Sequence, residues 1–389
     1  MKTKLRKSNG EGHLTQRKNG LFQVNVQKDG VNRSFYGKSE KEALEKLHRF
    51  QVDSDLGIWM TTVSVSGYIE RWMIQCKKDR VRPTTYDRME GTYKRYIKKE
   101  IGNRRMSKLT SAQCQDVINK WSGKYSYSTV KKIYELLKAC FTYAVNVGDL
   151  ARNPMAVVTL PRELSFKKPT KQITIPTDEE FSKIMAAGET QIGEGNHTYY
   201  KPYIYAFRFI AATGLRIGEL LALTWDKVSI EERTAKIDCS LTEIVNRDEN
   251  DNNKHLMKII GEPKSRSGYR TIRLNKNAIQ ALLDIQQEYM SRFGNPMPAE
   301  GVIVNTKGNQ PSIHDLERTL ASLCKRAGVE GVTPHVLRHY FASKCLENGA
   351  EMLVLSKHLG HARPSITMNI YAHVTEKQDE AFCRCIESI

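Results

Sequence analysis

A chain of 389 residues, 40% of them hydrophobic, is too long for one ordinary core and apolar enough to build two or three. Its formal charge of +18 points to a polyanionic partner, nucleic acid first and an anionic membrane second, because such a surplus otherwise only adds self-repulsion. The eight cysteines, scattered from Cys76 to Cys385 with no CxxC pair, argue against a disulfide framework and a zinc site; with no apolar run of signal-peptide or membrane-spanning length, a reducing cytoplasm is expected.

The charge is unevenly distributed. Residues 1–50 carry 12 basic against 5 acidic side chains, residues 62–170 carry 22 against 9, and residues 171–389 carry 27 against 27. Two basic modules therefore precede a neutral one. Attraction to a phosphate backbone belongs to the front, and any chemistry at the back must come from a few placed residues.

In chain order, LFQVNVQ (21–27) alternates apolar and polar residues, Lys28-Asp29-Gly30 is a turn signal, and VNRSFYG (31–37) supplies a partner strand. Ser39 and Glu42 predict a capping box opening a helix whose apolar face is Ala43, Leu44, Leu47 and Phe50. Arg17, Lys18, Lys28 and Arg33 make this small module basic. Residues 62 to about 160 read as helical. The first apolar stripe is Val65, Ile69, Trp72 and Met73, the second Tyr86, Met89, Tyr93, Tyr96 and Ile97, and the third Val130, Ile133, Leu136, Leu137 and Phe141. Their polar faces are crowded with basic residues, among them Lys94, Arg95, Lys98, Lys131 and Lys132, as a bundle gripping a phosphate backbone requires.

From Asn153-Pro154 to Thr177 the periodicity lapses, which predicts a basic linker over 161–176. Thr177-Asp178-Glu179-Glu180 then opens a helix as a capping box. Strand-like runs follow (TAKIDCSL, HLMKIIG, YRTIRL), with the polar stretch 246–254 as a hairpin tip or insertion, and helices resume from Asn275. The predicted fold class is multidomain α+β: a small β-sheet plus helix (1–60), a helical domain (61–160), the linker, and a mainly helical domain with a small antiparallel sheet (177–389).

Three segments of the last domain concentrate unusual residues. ATGLRIGEL (212–220) turns through glycine into a helix that presents Arg216 near its start. Thr333-Pro334-His335-Val336-Leu337-Arg338-His339 enters a helix through proline and puts His335, Arg338 and His339 on one face. Two histidines at i and i+4 suggest a zinc protease helix, but Val336 stands where its glutamate belongs. Leu359-Gly360-His361 is followed ten residues later by Tyr371.

These segments resemble, in order, the A-T-G-x-R, H-x-x-R and L-G-H boxes and the C-terminal tyrosine of the tyrosine recombinases, or phage integrase family. The front modules look most like those of integrases from conjugative transposons and related phages. The resemblance implies an arm-binding domain at 1–60, a core-binding domain at 61–160 and a catalytic domain at 177–389. Residue by residue, it implies that Arg216 and Arg338 bind the scissile phosphate, a task suited to a permanently charged planar fork of donors. His335 matches the histidine that handles the tyrosine proton or donates to the phosphate, and His361 a further hydrogen-bond donor. Tyr371 matches the nucleophile, whose phenol needs cationic help to attack at neutral pH. The family's catalytic lysine, a general acid on a hairpin turn, falls on Lys264, with Pro263 and Ser265 in place of the flanking threonines and Lys258 as the alternative. Tyr340, where many relatives carry Ser or Thr, is expected to be packing.

The implied reaction is two transesterifications through a 3′-phosphotyrosyl link, without metal, nucleotide or other cofactor. The partners implied are duplex DNA at core and arm sites, three further copies in a tetramer and an excision factor, with no membrane. The tail TEKQDEAFCRCIESI (375–389) looks amphipathic and is expected to dock on a neighbour in trans. A type IB topoisomerase shares the chemistry; the basic β-module and the box spacing favour recombination.

Overall fold

The computed structural model describes residues 13–17, 20–28, 31–55, 63–166, 174–189, 201–247, 256–263, 265–294 and 301–361, and of 27, 28, 31–33, 49 and 52–55 the backbone only. The chain divides into two compact units, Met1–Thr170 and Lys171–Ile389. No helix among the described residues is long and apolar enough to cross a membrane.

The first unit begins with a three-stranded antiparallel sheet in the order β1 (His13–Gln16), β2 (Phe22–Lys28), β3 (Val31–Gly37), with Val24 opposite Phe35. Helix α1 (Glu40–Asp55) packs on it through Ala43, Leu47 and Phe50, against Val24 and Val26. Ser39 caps it as expected, accepting from the Glu42 amide at 3.2 Å, but the Glu42 carboxylate reaches the Lys38 amide (2.8 Å), one residue before the cap. Leu44, expected inward, is 40% exposed: a three-stranded sheet is too narrow to cover the whole apolar arc of the helix.

A second core in this unit gathers α2 (Val65–Cys76), α3 (Pro83–Thr92), α4 (Lys98–Ile101), α5 (Ser111–Ser122) and α6 (Tyr127–Asn146). All three expected stripes enter it, with Met89 and Tyr96 partly buried. Between α3 and α4 the chain widens into a π-helical turn, Tyr93–Ile97, which no periodicity argument anticipated. Thr110 and Gln113 form a reciprocal capping box on α5. Phe166, inside the stretch read as linker, packs edge-on against Tyr127 at 5.3 Å and belongs to this core.

In the second unit, Thr177 and Glu180 exchange the predicted capping bonds (3.2 and 2.8 Å) at the start of α7 (Asp178–Glu189). Helix α8 (Lys201–Thr213) is the buried centre of the core, apolar on nearly every side and packed against α7, α10 (Lys276–Phe293) and α12 (Pro334–Glu347). The short α9 (Ile217–Leu221) follows it. Strands β4 (Val228–Ser229), β5 (Thr234–Ile237) and β8 (Arg270–Arg273) form one antiparallel sheet, while β6 (Ser240–Val245) and β7 (Leu256–Gly261) pair as a separate hairpin around the polar 246–255 stretch. Helices α11 (Ile313–Ala327) and α13 (Met352–Leu359) complete the unit.

Candidate active site

The first box is a helix end, a forced turn and a new helix start. Thr213 closes α8 by donating its hydroxyl to the Phe209 carbonyl (2.6 Å). Gly214 then turns the chain at φ +69, where a Cβ would lie 2.4 Å from Phe341 and 2.7 Å from Leu359, so the position tolerates only glycine. Arg216 becomes the residue before the first turn of α9. Its amide donates to Glu219 Oε2 (3.0 Å), its Nη1 to Glu219 Oε1 (2.6 Å) and its Nη2 to the Gly360 carbonyl (3.3 Å). The side chain keeps 41% exposure, so its fork is held from behind and open in front.

Thr333 caps α12 by accepting from the Val336 amide (3.3 Å), with Pro334 at the first helical position. The helix buries Arg338 to 1% exposure, where Nη1 donates to the Gly214 carbonyl (2.9 Å) and Nη2 to the Leu359 carbonyl (2.7 Å). One guanidinium thus clamps the first box to the third. Burial and the neighbouring Arg216 both press against its charge, with Glu219 at 4.0 Å opposing them, and a guanidinium remains protonated at neutral pH under such pressure.

His335 lies on the exposed face of α12, edge-on to His339 with ring centroids 4.4 Å apart. Close packing and the charges of Arg338 and Arg216 hold the His335 imidazole below its usual value, so at neutral pH it is free of charge and able to accept a proton. His339 is pushed down to about 4, by burial first, and both its ring nitrogens are buried without a hydrogen-bond partner. Tyr340 turns away from this set as expected, stacking on Phe181 at 5.2 Å and donating to Asp178 at 2.6 Å.

The third box ends α13 in a left-handed Gly360 (φ +67), whose added Cβ would meet the Ser267 carbonyl oxygen at 2.8 Å and Arg270 Nη1 at 2.9 Å. His361 follows, its amide bonded to the Ser356 carbonyl (3.1 Å) and its ring pushed down to about 4, chiefly by burial and then by Arg338 and Arg216. His358, which carried no sequence signal, bonds the Thr213 carbonyl through Nε2 (2.9 Å) and stacks on Phe341 at 5.3 Å.

Around the buried Glu219 (4% exposed) stand Arg216, Arg338 and Arg270. Burial raises the affinity of this carboxyl for a proton, but the bonds and charge of Arg270 and the charge of Arg216 outweigh it and hold Glu219 below the usual carboxylate range. Three guanidinium groups on one carboxylate leave a positive excess, suited to a phosphodiester and to the charge that builds as it is attacked.

Arg216, His335, Arg338 and His361 therefore converge from three segments, the first of them more than a hundred residues before the other two. Lys264 and Tyr371 lie outside the described residues. The alternative lysine, Lys258, sits on β7 opposite Glu243 and donates to the Gln310 carbonyl. Of the basic residues in the front unit, Arg17 bonds Gln23 (2.7 Å) and lies over the Tyr36 ring. Lys28 and Arg33 stand on paired strands, and Lys18 is outside the described residues. Lys94, Arg95, Lys98, Lys131 and Lys132 are all exposed on the bundle; Lys94 pairs with Glu90 (2.9 Å) and Lys98 with Glu70 (3.1 Å). Arg270 was the residue that sequence reasoning passed over, although it stood in the quoted run YRTIRL; nothing in that run sets it apart from Arg273, which is exposed on the same strand.

The pattern of the phage integrase family matches residues 175–378, and that of the phage integrase N-terminal SAM-like domain matches residues 64–122. A tyrosine recombinase XerC-like protein of Caldanaerobacter subterraneus subsp. tengcongensis is 31% identical over 90% of this chain and 89% of its own. Among solved structures, the Tn1549 transposon integrase in complex with transposon right end DNA superposes with a TM-score of 0.65 at 20% identity, over 84% of this chain and 100% of that one. A lambda integrase tetramer bound to a Holliday junction gives 0.57 at 16% identity, over 94% and 96%. With the boxes converging on one cationic site and this similarity spanning nearly the whole chain, the protein belongs to the phage integrase family and is a tyrosine recombinase, an enzyme of site-specific DNA recombination of the conjugative-transposon integrase type.

Proposed function

We propose that this chain integrates and excises a mobile element by cutting and rejoining DNA with Tyr371 as nucleophile. The observation that carries the reading is the pair of cations Arg216 and Arg338, brought together around the buried Glu219 with the neutral His361 ring near both. Arg216 presents its open fork to one non-bridging oxygen of the scissile phosphate. Arg338 supplies the second cation, and because it is buried here, DNA has to open the site before a phosphate reaches it. His335, neutral at working pH, takes the Tyr371 proton as the phenolate attacks phosphorus. The 5′ oxygen leaves with a proton from Lys264, and His361 donates a further hydrogen bond to the phosphate. A 5′ hydroxyl of the partner duplex then reverses these steps; one phosphodiester replaces another of similar energy, so no nucleotide has to be consumed.

Residues 1–60 bind arm sites, residues 61–160 grip the core site and residues 177–389 carry the chemistry. Four copies meet on two duplexes, as the lambda integrase tetramer on its junction supports, with an excision factor setting direction. The work takes place on DNA in the bacterial cytoplasm. Incubation with a nicked core-site duplex traps the covalent complex, and Tyr371→Phe abolishes it. A complex that survived the substitution would overturn the nucleophile assignment. Removing residues 1–60 leaves core-site cleavage intact and weakens arm-site binding in a gel-shift assay; equal arm-site affinity without them would remove the domain assignment.

A further inference from the structure

Arg270, outside the boxes, ties several parts of the second unit together. It stands at the first position of β8, is 8% exposed, and directs its donors three ways. Nη2 and Nη1 grip the Glu219 carboxylate at 2.9 and 3.2 Å; Nη1 also reaches the Gly268 carbonyl at 3.1 Å, and Nε donates to the His358 carbonyl. Each contact leads to a different part of the site. Glu219 is the carboxylate that holds both the amide and the guanidinium of Arg216. Gly268 ends the helical turn Arg266–Gly268 that leads into β8. His358 lies in the last turn of α13, two residues before Gly360, and its ring is tied back to the Thr213 carbonyl of the first box. Gly360 packs so close to Arg270 Nη1 that a Cβ would stand 2.9 Å from it.

The geometry points to Arg270 as a positioning residue: a buried strut that sets Arg216 through Glu219 and fixes the end of α13, and so His361, against the first box. Four of its five N–H donors are committed to protein acceptors, so it acts through those contacts rather than as a phosphate ligand. Its planar fork is what the task needs. A lysine keeps the charge but cannot bond Glu219, Gly268 and His358 together, because an ammonium lacks the rigid spread of donors. Aim rather than charge is the quantity at stake, and a displacement of about 1 Å at a reacting group costs on the order of 100-fold in rate.

The inference rests on the recombinase reading, and its test carries one readout that depends on that reading and one that does not. Arg270→Lys is compared with the full-length wild type in single-turnover cleavage of a nicked core-site duplex at saturating protein, with duplex affinity measured alongside. The expected result is a cleavage rate lower by roughly 100-fold with affinity within about twofold. Adding Glu219→Gln slows it by less than the product of the two single effects, since both act on Arg216 in part through one pair. Hydrogen exchange followed by mass spectrometry supplies the second readout: Arg270→Lys speeds exchange of the amides at 357–361 and leaves α8 and α10 protected. If the lysine variant loses protection in α8 and α10 as well, Glu219→Gln alone takes its place in both measurements. A near wild-type cleavage rate, or unchanged exchange at 357–361, overturns the strut. A wild type that forms no covalent complex overturns the recombinase reading instead, and the exchange result then decides Arg270 by itself.

Discussion

The two halves of this chain use positive charge in opposite ways. In the first unit it is abundant and superficial: Lys94, Arg95, Lys98, Lys131 and Lys132 lie exposed along helices whose other faces form the core. In the second unit acid and base balance, yet Arg338 and Arg270 are buried around Glu219. An exposed cation keeps its water, adapts to any phosphate backbone and is weakened by salt. A buried one has lost its water and holds a fixed direction, as a reaction with one correct geometry demands. On the function proposed above, net charge locates where DNA is held, and burial locates where it is cut.

The sharpest way to break this contrast is to remove one partner from each kind of pair. Glu219→Ala strands Arg270 in the core and is expected to cost about 3–5 kcal/mol in urea denaturation. Lys98→Ala, which removes the exposed cation from Glu70, is expected to cost under about 1 kcal/mol. Equal losses would show that the buried set is no more demanding than the surface one.

Glycines extend the contrast to the backbone. Gly214→Ala forces a Cβ onto Phe341 and Leu359 at positive φ and should cost at least about 2 kcal/mol, combining strain with overpacking. Gly20→Ala has the same backbone constraint (φ +81) with nothing within 4 Å, and about 1 kcal/mol is expected in the same melt.

Neutralising Lys94, Arg95 and Lys98 together sharpens the comparison from the other side. Affinity should fall about equally for core-site and unrelated duplexes, with the slope of log affinity against log salt reduced by about 1 per lost phosphate contact. The single-turnover cleavage rate at saturating DNA should not change.

The smallest effect concerns acid. The imidazoles of His339 and His361 are held down to about 4, below the usual histidine value. Between the two values the unfolded chain binds the proton that the folded chain refuses, so stability is full above about pH 6.5 and falls as pH drops toward 4. His339→Asn should lessen the drop in melting temperature between pH 7 and pH 5, and an unchanged drop would free His339 from that role.

Much of this organisation was legible beforehand because it rests on local rules. The capping residues Ser39 and Thr177, the proline entry into α12, the three bundle stripes and the hairpin around 246–254 follow from period and turn chemistry within a dozen residues. Leu44 and Phe166 were misjudged because burial depends on which distant surface is available to cover a side chain. The four boxes were visible as letters, and Arg216 and Arg338 could be named from them.

What the letters by themselves determined is the kind of protein: a basic, multidomain α+β chain with a recombinase's boxes in order, since periodicity, charge and motif order are properties of one dimension. Only the tertiary structure decided how the boxes are held. Gly214 and Gly360 had to be glycine because Phe341, Leu359 and Arg270 approach from elsewhere in the chain, and Glu219 binds two arginines that lie 54 residues apart. A buried charge network is satisfied by whatever folding brings within hydrogen-bond reach, and sequence distance does not report that.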